Sequence, residues 1–200
     1  MSPFLFSHKR SLRSLRWRSL RCGLPGLLLL VFGLICAKPQ EAASVETRVK
    51  AAFLLNFAKF VEWPAVHEKH PLCIGVLGKD PFGPVLDEIM TGKMIDGKPV
   101  QIKRLKQPSE ASDCQILFVS NSERKRFTQI VSQMAARPVL TVSDVEDFTR
   151  EGGMIRLFLD GNNFRFEVNL TAVEEGQIKL SSKLLHLGRV VRFKPPEAAQ

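Results

Sequence analysis

The sequence predicts an α/β fold: a three-layer sandwich with a mostly parallel sheet and a C-terminal antiparallel hairpin. Two observations carry this. From residue 71 to 144 apolar runs of strand length alternate with segments of helical period, in the order strand, helix, strand, strand, helix, strand. From residue 152 to 170 the period changes to two around a turn signal, "DGNN".

The first element is "KAAFLLNFAKFVEWP" (50–64). On a 3.6-residue period Phe53, Phe57, Phe60 and Val61 share one face, and only Asn56, Lys59 and the ends are polar. So thin a polar stripe predicts a helix that is largely buried. It is too short and too charged to cross a bilayer. Trp63 and Pro64 stop it, because the residue before proline disfavours helix. "PLCIGVLG" (71–78) reads as a buried strand. "KDPFGPVLDEIMTG" reads as a helix with Asp80 as N-cap, Pro81 in the first turn and Gly92 past its end. "KPVQIKRLK" (98–106), "CQILFVS" (114–120) and "RPVLTVSD" (137–144) are strands, with a helix over 122–136 starting at Ser122. Phe164, Phe166 and Val168 alternate with Arg165, Glu167 and Asn169, as in a half-buried strand. Short helices in "TAVEEG" and "SSKLLHLGRVV" close the domain, and 192–200 forms a polar tail.

The formal charge of +9 resembles a nucleic-acid signal until it is located. Residues 1–37 carry six basic residues, no acid, and then the uncharged "GLPGLLLLVFGLICA". Basic, apolar and small residues in that order predict a secretory signal peptide over 1–37, with a boundary after Ala37 or as late as Ala43. Its removal leaves 23 basic against 20 acidic residues, a net charge of +3. Nucleic acid is then excluded as a partner, and no stable membrane insertion is expected after cleavage. Ile35 precedes Cys36, where a lipoprotein signal wants a small residue.

Cys22 and Cys36 leave with the signal. Cys73 and Cys114 remain, and in an oxidising compartment a pair is expected to bridge; the alternative is two buried thiols. The first and third strands of a doubly wound sheet are commonly parallel neighbours, and each cysteine opens one of them. Their separation then suits a disulfide.

The search for chemistry finds no nucleophile, base and orienter together, so no catalytic residue and no enzyme activity are expected. His67, His70 and His186 lack ligand partners at metal-binding spacing, and no metal or cofactor is expected. "GKDPFG" and "EGGM" read as turns before they read as anion cradles. Lys183, His186 and Arg189 are three apart in the last helical segment and would share one face. They form a candidate site for an anionic ligand or an acidic partner, against the alternative of a solvated cationic face.

Taken together, "KAAFLLNFAKFVEWP", "GKDPFGPVL", "CQILFVSNSE", "VLTVSDVEDF", "EGGMIRLF" and "FRFEVNLTAVEEGQIKLSSKLLHLGRVV" resemble the YfiR-like family of bacterial periplasmic proteins, over residues 45–191. Leu55 stands where that family often has Tyr, and Gly188 where Ala is usual. The resemblance implies a periplasmic homodimer that restrains a membrane-bound diguanylate cyclase by binding its periplasmic part. Envelope or redox state would thereby reach cyclic-di-GMP and biofilm formation. Two alternatives stay open: a small-ligand (anion) binding protein, or an envelope adaptor with no cyclase.

Overall fold

The computed structural model describes residues 45–63, 71–135 and 137–194. The expected signal segment, His67 and His70 lie outside the described residues. Helix α1 (Val45–Phe60) leads into a two-residue strand, β1 (Val61–Glu62). Next come β2 (Leu72–Leu77), α2 (Pro84–Met90), β3 (Met94–Ile95), β4 (Lys98–Leu105), β5 (Ile116–Val119), α3 (Phe127–Met134) and β6 (Leu140–Ser143). Then follow β7 (Ile155–Asp160), β8 (Asn163–Asn169), α4 (Leu170–Glu175), β9 (Lys179–Leu180), α5 (Ser182–Leu187) and β10 (Arg189–Val191). Two 3-10 turns, Pro108–Asp113 and Asn121–Arg126, precede β5 and α3.

The main sheet has eight strands in the order β10-β8-β7-β6-β5-β2-β4-β3. Neighbours from β4 through β7 run parallel, as do β8 and β10. Only β7–β8 and β3–β4 are antiparallel. β1 and β9 form a separate antiparallel pair, Val61 opposite Leu180.

Strand alternation sorts the core into two layers. Leu72, Ile74, Val76, Ile116, Phe118, Leu140, Val142, Ile155, Leu157, Phe166 and Val168 point to one face, under Leu54, Phe57 and Ala58 of α1 and Leu86 and Met90 of α2. Leu77, Leu105, Leu117 and Val119 point to the other, under Phe127, Ile130, Val131 and Met134 of α3. Parallel strands covered on both faces read as continuous apolar runs, and β2, β5 and β6 are buried at every position. The sandwich is therefore three-layered. The thin polar stripe of α1 has its reason in this packing: Phe53 and Phe57 close on the Phe166 ring at 5.8 and 5.3 Å between centroids.

Several boundaries differ from those expected. α1 starts five residues earlier than Lys50, and Val61–Glu62 leaves the helix to pair with β9. α2 starts at Pro84, not after Asp80, because Gly83 supplies the entry turn at φ 55°. Asp80 instead accepts the Phe82 amide at 2.7 Å and faces Arg104. α3 is preceded by a 3-10 turn capped by Ser120 rather than Ser122. β3 was not expected. It is turned back onto β4 through Asp96 and Gly97, both at positive φ, and the "DG" pair was its signal. The polar tail is fastened at its start: the Phe193 amide donates to Asn169 Oδ1, and Arg192 pairs with Glu174.

Candidate functional site

The two cysteines meet at the N-terminal edge of the parallel strands. β2 and β5 are parallel neighbours with Ile74 opposite Ile116, which sets Cys73 beside Gln115. Cys114 does not open β5; it ends the 3-10 turn two residues ahead of that strand. The Cys73–Cys114 disulfide is formed, with the Cα atoms 4.4 Å apart. Gln115 locks the same edge: its amide donates to the Cys73 carbonyl, and its side-chain oxygen accepts the Cys73 amide at 2.6 Å.

At the opposite edge, "GKDPFG" is closed on itself. The Lys79 amide donates to Ser122 Oγ at 2.9 Å. A Cβ on Gly78 would stand 2.4 Å from that oxygen, so this turn needs glycine for space as well as for its φ of 88°. The amides of Lys79 and Phe82 are thus already occupied by Ser122 and Asp80. "EGGM" is likewise a packed turn, with Gly153 flat against the Phe148 ring.

The cationic face expected from Lys183, His186 and Arg189 is not built as expected. The helix ends at Leu187, and Gly188 turns the chain into a strand whose first residue is Arg189. The spacing of three therefore spans a helix and a strand, and Arg189 lies opposite Glu167 of β8. A Cβ at 188 would sit 2.4 Å from Cε2 of Phe166, so any larger residue there requires that ring to shift. Lys183 is exposed, and His186 holds its Nδ1 2.7 Å from the Ser182 carbonyl oxygen. His186 and Arg189 still line one pocket, of about 340 Å³, with Phe158, Asp160, Arg165 and Phe166. Lys183 is not part of it.

Arg189 instead belongs to a polar cluster that sequence reasoning missed. The apolar layer under α3 takes no residue from β7, β8 or β10, and at that end of the sheet the same face is polar and only partly covered: Glu167 and Asn169 are buried, Arg156 and Phe158 half-buried, Arg165 and Arg189 exposed. On it, Glu167 is buried and receives hydrogen bonds from Thr149 Oγ1 and from Arg189, whose Nε donates at 2.7 Å. Arg156, directly across on β7, approaches the same carboxylate at 3.6 Å. Both guanidinium groups also lie against the Phe158 ring, 4.8 and 4.9 Å from its centroid. Burial alone would raise the Glu167 pKa, but the Thr149 and Arg189 hydrogen bonds and the Arg156 charge outweigh it and hold the pKa below its ordinary value. The signal in the sequence was the alternation of Arg165, Glu167 and Asn169. It reads as a plain solvent face until Arg156 is known to stand opposite Glu167.

Two further charge clusters brace the C-terminal edge of the sheet. Lys50 of α1 reaches both Glu46 and Asp144 at 2.6 Å. Burial opposes the charged Lys50, but the two carboxylates prevail and raise its pKa. Arg104 bridges Asp80 and Asp87 and depresses the Asp87 pKa. The first ties α1 to the loop after β6, and the second ties β4 to α2 and the turn before it. Among the described residues no His, Cys, Asp and Glu group has metal-binding geometry. No helix there is long and apolar enough to cross a membrane.

The comparison with protein families agrees with the fold. A family model described as YfiR/HmsC-like matches residues 47–189, from the first helix to the first residue of the last strand. That span takes in both layers of the core and every strand of the main sheet except most of β10. The chain therefore belongs to the YfiR/HmsC-like family.

Proposed function

We propose that this protein is an exported regulator that binds and restrains a membrane-bound diguanylate cyclase from the periplasmic side. The observation that carries the reading is the family match over residues 47–189. The basic, apolar and small leader supports export. A Cys73–Cys114 bridge suits an oxidising compartment. Regulation by contact also needs a surface, and the partly open face of β7, β8 and β10 offers one. It carries Phe158 between two guanidinium groups, with Arg165 and Arg189 exposed around it. Aromatic and arginine side chains of this kind anchor protein interfaces. The cyclase would present acidic groups there, and a homodimer would offer this face twice.

The test is co-purification with the periplasmic part of the cyclase. Arg165→Glu reverses a charge on the rim of the face, and the exposed Arg165–Asp160 pair contributes little to the fold. The variant is expected to melt like the wild type and to lose cyclase binding. Full binding by the variant would remove this face from the contact, and no binding by the wild type would remove the function. A second reading, an anion receptor, rests on the pocket that His186, Arg165 and Arg189 share. A thermal shift with phosphate or nucleotides that Arg165→Glu abolishes would favour it.

A further inference from the structure

A mainly apolar recess among the described residues lies away from this face, between α3 and α4. It has a volume of about 380 Å³. Val131 and Met134 of α3, Met154 ahead of β7 and Ala172 of α4 form its floor, all of them buried. Its rim carries Glu151 and Glu175. Neither carboxylate makes an ion pair or a side-chain hydrogen bond among the described residues. The neighbouring charges are committed elsewhere: Glu174 to Arg192, and Arg150 to Asp147 and the Phe193 ring. Gly176, which ends α4, leaves room for the Met154 methyl, which lies 2.4 Å from where a Cβ on Gly176 would stand.

We infer that this recess is a binding site for a small organic cation: a primary ammonium group on a compact, flat apolar body. Three features select that class. The volume sits at the lower end of the range for small-molecule pockets, roughly 300–1,000 Å³, and suits a compact ligand. Two thioether side chains in the floor make favourable contacts with an aromatic ring. Two carboxylates at the mouth, without a basic partner, attract an ammonium and repel an anion. The site is separate from the proposed cyclase contact, so its fate and that of the contact are independent.

The probes are phenethylamine, 2-phenylethanol and 3-phenylpropionate, which share one body and differ in charge. With methyl-labelled methionine, millimolar phenethylamine is expected to shift the Met134 and Met154 resonances and leave Met90 and Met94 in place. The alcohol should bind more weakly and the carboxylate not at all. Glu151→Gln with Glu175→Gln changes only rim residues and is expected to weaken amine binding roughly two- to thirtyfold, the effect of two partly exposed charges. Ala135→Leu, just past the end of α3, narrows the mouth and should abolish the shifts. The proposal is overturned if the amine moves neither methionine, if the three probes bind alike, or if the double Gln variant binds the amine as tightly as the wild type.

Discussion

Glu167 is held by three side chains from three parts of the chain: Thr149, Arg156 and Arg189. Removing the charge leaves two arginines facing a neutral group on a half-buried surface. Because Arg189 is 56% exposed, water recovers part of the loss. Glu167→Gln is expected to cost about 1–3 kcal/mol at pH 7. The pH dependence has a definite sign. The folded pKa lies below the ordinary 4.5, so this stabilisation is complete above about pH 4.5 and is lost as pH falls through the folded value. Urea titrations of both proteins should show a gap at pH 7 that narrows in acid. An equal gap at both pH values would mean that the charge of Glu167 is not what holds the cluster. Arg189 shows why such a site was only half legible in the sequence. Its spacing from Lys183 and His186 is real, but Gly188 changes the backbone between them, and a spacing rule holds only within one element.

At the level of elements, the strong signals were those that depend on a continuous period. β2, β5, α3 and the β7–β8 hairpin follow apolar patterns set by burial on one face or two. Short elements left little period to read: β1, β3, β9 and β10 have two or three residues each and exist because a neighbouring strand pairs with them. The junction between α5 and β10 can be tested. In Gly188→Ala the new methyl would press on Phe166, whose ring is held edge-on by Phe53 and Phe57. A cost of about 1–3 kcal/mol is expected for overpacking of this kind. A variant as stable as the wild type would show that the Phe166 ring has room to move. The disulfide belongs to the same scale, since it ties β2 to the approach to β5. It closes a separation of 41 residues, and the chain-entropy argument gives on the order of 4 kcal/mol of stabilisation. Cys73→Ala with Cys114→Ala, or reductant on the wild type, should lower the urea midpoint. Identical midpoints with and without reductant would contradict this.

For the whole molecule, the sandwich provides two covered faces over β2, β5 and β6 and one partly open polar face at the hairpin end. Rigid layers on one side hold a polar, aromatic surface on the other, the arrangement that the proposed regulation by contact requires. The layer order was legible because parallel strands need helices on both sides. The partly open face was not, because alternation along one strand does not reveal whether its polar side meets water or a buried partner. The regulatory account is tested most directly by cellular cyclic-di-GMP in a clean deletion strain that expresses the membrane cyclase. The account predicts that cyclic-di-GMP and surface attachment rise on deletion, return to normal with the wild-type gene, and stay high with Arg165→Glu. Unchanged cyclic-di-GMP in that deletion, with the cyclase present and active, would contradict it.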